Sequence, residues 1–128
     1  MANKKILIVE DEDSIRNALK DRFAQEAEII FIQASNGVDA LLMAEKEKPD
    51  MILLDVLMPK MHGIDMLKTM KSKDWGKSIP VVLLTNYEND PKVVEAVGSG
   101  LCQMLVKGKV SLDVVVEKVR ETLGLPAK

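Results

Sequence analysis

The sequence predicts an α/β fold of the flavodoxin-like, doubly wound (βα)5 class, with a five-stranded parallel sheet in the strand order 2-1-3-4-5. Short apolar runs and amphipathic segments alternate five times along the 128 residues. This alternation is typical of a parallel sheet that carries helices on both faces and is joined by right-handed crossovers. A chain of this length forms one compact domain, which we expect to span residues 1–128. Among doubly wound folds of this size, the flavodoxin-like order is favoured.

Composition excludes several classes of function. The 18 basic and 20 acidic residues give a net charge of −2, so this domain has no basic excess of the kind that binds nucleic acid. One cysteine, Cys102, excludes an internal disulfide and is expected in the core; one histidine, His62, is expected to be exposed in a loop. Together they leave no zinc-type ligand set. The apolar run from Ile6 to Val9 is too short for a signal peptide or a membrane span, so we expect a soluble, cytoplasmic protein without a membrane partner.

The first two strand–helix units lie in the N-terminal part of the chain. The run KKILIVE, residues 4–10, predicts a strand buried on both faces, and Asp13 is the expected N-cap of the helix after it. The run EIIFIQA, residues 28–34, predicts the second strand. Asn36 opens the next helix, which is expected to end near Lys48-Pro49. The first helix is predicted to be amphipathic because these residues lie at helical spacing: Ile15, Ala18, Leu19, Arg22 and Phe23.

The third and fourth units follow the same pattern. MILLD, residues 51–55, and IPVVLLT, residues 79–85, are the predicted strands. Gly63 precedes the third helix, and Asp90-Pro91 supplies a cap and a first-turn proline for the fourth, which Gly98-Ser99-Gly100 ends. The residues expected to face inward are Ile64, Leu67 and Met70 in the third helix and Val93, Val94 and Val97 in the fourth.

The fifth unit begins with LCQMLVK, residues 101–107, as the last strand. Ser111 is the expected cap of the last helix. The apolar residues of that helix recur at i, i+3, i+4, i+7 and i+11 and should form its buried face: Leu112, Val115, Val116, Val119 and Leu123.

Chemically active side chains follow four of the five predicted strands. In a parallel sheet the carboxyl ends of the strands share one edge, where ligands bind at the switch point of the strand order. Three carboxylates placed together disfavour one another's ionisation, and a hard divalent cation such as Mg²⁺ removes this conflict. A hydroxyl and an ammonium group suit phosphoryl oxygens. The side chains at this edge are Glu10 and Asp11 after the first strand, Asp55 after the third, Thr85 after the fourth and Lys107 after the fifth.

The pattern therefore predicts a site for Mg²⁺ and a phosphoryl group, with Asp55 on the central strand as the candidate nucleophile. Each residue alone has a simpler explanation. The acidic pair suits a helix N-terminus, an aspartate after a strand suits an Asx-turn, and a threonine or lysine there is ordinary. The joint position of all of them at one edge favours the functional interpretation.

These segments resemble the receiver domain of two-component response regulators. The similar segments are ILIVEDE, LLDVLMPKMHG, VVLLTN and MLVK, in that order, and the resemblance as a whole covers almost the whole chain. In the second segment Pro59 and Gly63 stand four and eight positions after Asp55, where they are expected to shape the loop. The chain is thus similar to a stand-alone, chemotaxis-type receiver, although the sequence does not decide between that and a piece of a larger regulator.

The resemblance implies a role for each strand-end residue. Asp55 would accept a phosphoryl group from a histidine kinase or a phosphotransfer protein, and Thr85 and Lys107 would bind the phosphoryl oxygens. The domain would catalyse only its own phosphorylation and dephosphorylation and would switch a protein-interaction surface, with a phosphorylation-dependent dimer as one outcome and an unidentified downstream target. The implied magnesium ligands are Glu10, Asp11, Asp55 and the backbone carbonyl of Leu57.

Several positions depart from the family pattern. Gly108 stands where the family usually has a proline after the lysine, and Met104 replaces the switch aromatic, so a coupled aromatic rotamer switch is not expected. Asn86 follows the threonine where a small residue is common. Tyr87 and Leu57 could shield an acyl phosphate from water, which leads to the hypothesis of slow self-dephosphorylation.

Other functions fit less well. A haloacid-dehalogenase-like phosphatase would need a second aspartate two residues after its nucleophile, where this chain has Leu57. A flavodoxin-type cofactor site would need a phosphate-binding loop after the first strand, and the acidic EDEDS segment would repel the phosphate. A receiver-like interaction module that is never phosphorylated remains an alternative, against which the complete set of strand-end residues argues.

Overall fold

The computed structural model describes residues 3–58 and 60–127, and its fold is the predicted flavodoxin-like one. All strand pairs are parallel, and the strand order is β2-β1-β3-β4-β5. The short apolar runs form these strands because each is buried from both sides. The strands are β1 (Lys4–Val9), β2 (Ile29–Ala34), β3 (Met51–Leu54), β4 (Val81–Thr85) and β5 (Gln103–Val106).

Five helices alternate with the strands, and a short 3₁₀ turn, Lys107–Lys109, follows β5. Three predicted caps are confirmed: Asn36 accepts from the Asp39 N–H, Asp90 from the Lys92 N–H and Ser111 from the Val114 N–H. Within the described residues, no helix combines the length and apolarity that crossing a membrane requires. The helices are α1 (Asp13–Phe23), α2 (Gly37–Glu47), α3 (Gly63–Lys71), α4 (Pro91–Gly98) and α5 (Leu112–Leu123).

The sheet separates two hydrophobic cores. Side chains alternate across a strand, so Ile6 and Ile8 of β1 pack with α1 and α5, whereas Leu7 and Val9 pack with α2, α3 and α4. All four residues of β3 are buried. The central strand is therefore held from both faces, and the residue at its end has a rigid support.

The structure corrects four predictions of detail. Glu12, not Asp13, is the N-cap of α1, and Asp13 is the first residue of that helix. Val94 is exposed because Ala96 takes the inward position beside Val93. Leu112, the first residue of α5, is exposed.

The fourth correction concerns His62, which is half-buried and not an exposed loop residue. It is the N-cap of α3, and its Nδ1 accepts the Ile64 N–H at 3.1 Å. The histidine thus satisfies one of the free N–H groups at the helix start, a structural role. Cys102 is buried, as predicted.

Candidate functional site

The five predicted site side chains all follow strands at one edge of the sheet. Glu10 and Asp11 follow β1, Asp55 follows β3, Thr85 ends β4, and Lys107 follows β5. The chain leaves β1 for β2 on one side and returns to β3 on the other, so β1 and β3 flank the switch point. Ligands of doubly wound sheets bind at this place.

Three carboxylates meet at the switch point. One oxygen each from Glu10, Asp11 and Asp55 lies within 4.8 Å of the other two. Glu10 and Asp55 are buried, with 2% and 7% of their surfaces exposed, whereas Asp11 is exposed. Backbone hydrogen bonds fix the two buried residues: the Asp55 N–H donates to Val9 O at 2.9 Å and the Glu10 N–H to Ala34 O at 3.1 Å.

Burial, as the largest cause, and the negative charge of Glu10 together raise the pKa of the Asp55 carboxyl to about 7. Two groups oppose the rise: the Lys107 ammonium and the Val56 N–H, which donates to Asp55 Oδ1 at 2.8 Å. Lys107 and the Val56 N–H therefore offset only part of the effect of burial and of Glu10 on the carboxylate. Mg²⁺ prefers oxygen ligands, and three carboxylate oxygens whose negative charge is only partly compensated converge here. The residues therefore fit a magnesium ion.

Lys107 bridges two of the carboxylates. Its Nζ lies 2.8 Å from Glu10 Oε1 and 3.7 Å from Asp55 Oδ2. Burial alone would lower the pKa of the ammonium, but the hydrogen bond to Glu10 and the charge of Asp55 outweigh burial and raise it. Lys107 is thus cationic and already directed at the acidic cluster.

Thr85 is fully buried at the end of β4. Its Oγ1 accepts the Tyr87 N–H at 3.0 Å, which leaves the hydroxyl proton available for donation. The Tyr87 side chain is 48% exposed and that of Leu57 is 43% exposed, so both predicted shielding residues lie at the surface of this edge.

The loop after Asp55 is constrained by α3. The Gly63 N–H donates to Val56 O at 2.7 Å. A Cβ on Gly63 would lie 2.4 Å from Asp55 O and 2.9 Å from Val56 Cα, so glycine permits a contact that no other residue could make. The predicted role of Gly63 agrees with this geometry; Pro59, the other predicted loop residue, lies outside the described residues.

Sequence reasoning missed Arg16, which supports the acidic loop. Its guanidinium donates to Glu10 O at 3.1 Å and to Asp11 O at 3.4 Å, and it pairs with the Asp13 carboxylate. Arg16 therefore fixes the backbone of both acidic residues. The only sequence signal was the i, i+3 spacing of Asp13 and Arg16, which does not reveal the contacts with the backbone.

Comparisons with known proteins agree with this geometry. Residues 6–120 match the family described as the response regulator receiver domain. Sporulation initiation phosphotransferase F of Bacillus subtilis (strain 168) is 38% identical over 125 residues, 98% of this chain and 98% of that protein. The alkaline phosphatase synthesis transcriptional regulatory protein PhoP of the same organism is 42% identical over 88 residues, 69% of this chain but 35% of PhoP. The solved chemotaxis response regulator CheY4 of Vibrio cholerae superposes with a TM-score of 0.81 at 28% identity, covering 94% of this chain and 99% of CheY4.

Proposed function

The chain belongs to the response regulator receiver domain family of two-component signalling, and we propose that it accepts a phosphoryl group on Asp55 in a magnesium-dependent transfer. The donor is a phosphohistidine of a histidine kinase or of a phosphotransfer protein. The observation that carries this proposal is the buried Asp55 carboxylate, which lies among Glu10, Asp11 and Lys107 at the end of the central strand.

Receiver domains bind Mg²⁺ at an acidic pocket, and we assign the ligands here to the carboxylates of Glu10, Asp11 and Asp55 and to the backbone carbonyl of Leu57. The bound ion would neutralise the carboxylates and the incoming phosphoryl oxygens. The three carboxylate oxygens within 4.8 Å of one another support the assignment of the acidic residues. The carbonyl of Leu57, two residues beyond Asp55, is assigned by the family resemblance.

In the transfer step an Asp55 oxygen attacks the phosphorus atom, and the bond from phosphorus to the donor histidine nitrogen breaks. The electron pair of that bond stays on the nitrogen. The Lys107 ammonium, 3.7 Å from Asp55 Oδ2, offsets the charge on the phosphoryl oxygens, and the Thr85 hydroxyl donates to one of them. Positioning and charge neutralisation are the main work of such sites, and these residues would supply them together with the magnesium ion.

We further propose that the chain is a single receiver domain that catalyses only its own phosphorylation and dephosphorylation. Movement of Thr85 toward the acyl phosphate would bias a two-state loop and reshape a surface for a protein partner. Phosphorylation-dependent dimerisation is one form that this output could take. The alignment with the Bacillus subtilis phosphotransferase over 98% of both chains supports one receiver domain over the residues of this chain.

Intact-mass spectrometry tests the proposal. The wild-type chain is incubated with Mg²⁺ and acetyl phosphate, and in parallel with a phosphorylated histidine phosphotransfer domain. A single phosphoryl adduct is expected on the wild type, and none is expected on Asp55→Asn or after chelation of the metal. Absence of an adduct with both donors would reject the proposal in favour of a receiver-like interaction module.

A further inference from the structure

The loops that follow Thr85 and Lys107 leave the sheet side by side. Thr85 of β4 is in register with Val106 of β5, which directly precedes Lys107. The two side chains that would bind phosphoryl oxygens therefore stand at the starts of neighbouring loops, 86–90 and 107–111. Any contact between these loops affects the relative position of the hydroxyl and the ammonium group.

A hydrogen bond joins the two loops directly after these residues. The Gly108 N–H donates to Asn86 Oδ1 at 2.8 Å. A Cβ at position 108 would lie 3.2 Å from the same Oδ1 atom, so glycine allows the amide oxygen to approach without crowding. The bond requires an N–H at position 108, which every residue except proline supplies.

A second contact lies further along the same loops. Lys109 Nζ is 3.9 Å from Glu88 Oε2. That carboxylate oxygen is buried and has no hydrogen-bond partner within residues 3–58 and 60–127. The charge of Lys109 offsets part of its negative charge. The pair reinforces the side-by-side placement that Asn86 and Gly108 establish.

We propose that Asn86 is a positioning residue for phosphoryl transfer: by accepting the Gly108 N–H, it holds Lys107 in register with Thr85. This inference rests on the proposed function of Asp55. Lys107 is drawn toward Glu10, 2.8 Å away, and the bond at Gly108 fixes the backbone from which it reaches Asp55. The requirement is strict because small misplacements of groups that contact the reacting atoms cost large factors in rate.

The test measures the initial rate of adduct formation on Asp55 from acetyl phosphate, as a function of Mg²⁺ concentration. Asn86→Ala removes the acceptor and Gly108→Pro removes the donor. Asn89→Ala is the matched control because it makes the same truncation at another exposed position of the same loop. Asn86 is exposed, so its truncation leaves the core intact, and urea unfolding of each variant confirms folding.

At saturating Mg²⁺ we expect Asn86→Ala and Gly108→Pro each to lower the rate about fivefold, which is the effect of one ordinary hydrogen bond. The double variant should be no slower than the slower single variant, since both remove the same bond. Asn89→Ala should stay within about twofold of wild type. The Mg²⁺ concentration for half-maximal rate should not change, because neither loop supplies a metal ligand; a general loss of structure would change it.

An Asn86→Ala rate equal to or above that of the wild type would overturn the inference and leave the proposed function intact. So would a double variant whose loss equals the product of the two single losses. If the wild type itself forms no adduct with this donor and with the phosphohistidine donor, the proposed function fails, and the inference fails with it.

Discussion

At the scale of single residues, Asp55 combines two opposing requirements. A nucleophilic carboxylate must be ionised, yet the pKa of this group is raised to about 7, first by burial and then by the charge of Glu10. Lys107 favours the ionised form, since positive charge near a carboxyl lowers its pKa, and the magnesium ion that we propose would act in the same direction. In the metal-free chain, burial and the charge of Glu10 therefore disfavour the ionised form of Asp55. A bound magnesium ion would offset this effect.

The raised pKa of Asp55 predicts how the stability of the metal-free chain depends on pH. Between the ordinary carboxyl pKa of 3.8 and the folded value of about 7, the native chain holds a proton that the unfolded chain has lost. The contribution of Asp55 to the free energy of unfolding therefore falls as pH rises through this window. Asp55→Asn should be stabilised relative to wild type more at about pH 8 than at about pH 5, measured by urea unfolding in the presence of chelator. If the difference in the free energy of unfolding between Asp55→Asn and wild type were the same at both pH values, the raised pKa would be contradicted.

Leu57 and Tyr87 carry the hypothesis of slow self-dephosphorylation. Both side chains are exposed at the edge that holds Asp55, where they could keep water from an acyl phosphate. Leu57→Asn and Tyr87→Ala should each shorten the lifetime of the adduct by about tenfold, or about 1.4 kcal/mol in the barrier. The decay is followed by intact mass after removal of the donor. The matched control is Leu42→Ala, an exposed apolar residue on α2; unchanged lifetimes in both test variants would refute the hypothesis.

Sequence patterns identified the candidate site residues, whose roles stay predictions, but not the groups that position them. Glu10, Asp55 and Lys107 were found because each follows an apolar run, which is a local signal. Arg16 was missed because it contacts backbone carbonyls, which every residue has. The hydrogen bond from Gly108 to Asn86 joins positions 22 residues apart. Each residue departs from the family pattern, but nothing in the sequence indicated that the two are in contact.

At the scale of helices and strands, the predicted order and most caps are confirmed because capping and periodicity are local properties. The errors arose where tertiary packing decided the outcome. Periodicity did not distinguish Val94 from Ala96 on α4, since the inward face depends on how the helix lies on the sheet. The role of His62 as a cap was not visible because histidine is not a preferred N-cap residue.

Two glycines, one in close contact with the end of β3 and one in open space, should respond to alanine in opposite ways. Gly63→Ala should destabilise the fold by about 2 kcal/mol, because the new Cβ would collide with the Asp55 and Val56 backbone. Gly98→Ala should stabilise it by about 0.5 kcal/mol, since a Cβ there meets nothing within 4 Å and alanine restricts the unfolded chain.

Urea unfolding of both variants measures the two effects, and adduct formation should also slow in Gly63→Ala alone. Equal effects of the two substitutions would show that the packing of α3 against Asp55 is looser than the structure indicates.

At the scale of the whole molecule, a buried ion-pair network joins α5 to the α1–β2 connection, on the side of the sheet away from α2, α3 and α4. Arg120, 3% exposed, lies 3.1 Å from both Glu26 Oε1 and Glu28 Oε1, and its Nε donates to Pro126 O at 2.7 Å. Arg22 extends the network from Glu26, at 3.0 Å, to Asp113. The network therefore links α5 to the segment between α1 and β2.

Removal of one member of this network should destabilise the whole fold. Arg120→Leu takes a cation from two carboxylates and should cost about 3 kcal/mol, as expected when one partner of a buried pair is lost. Lys118→Ala, on the same helix, breaks only the outer pair with Glu121 at 3.3 Å and should change stability by less than about 0.5 kcal/mol. Urea unfolding at neutral pH compares them; similar losses would mean that burial does not strengthen the Arg120 network.

The central claim, that the Asp55 carboxylate is the phosphoryl acceptor, is tested most directly by chemical trapping. The chain is phosphorylated in the presence of Mg²⁺ and treated with borohydride, which reduces an aspartyl phosphate to homoserine, and the peptides are then sequenced by mass spectrometry. We predict homoserine at position 55 and unmodified Asp11 and Glu10. Homoserine at another aspartate, or a phosphoryl group that resists borohydride, would contradict the account.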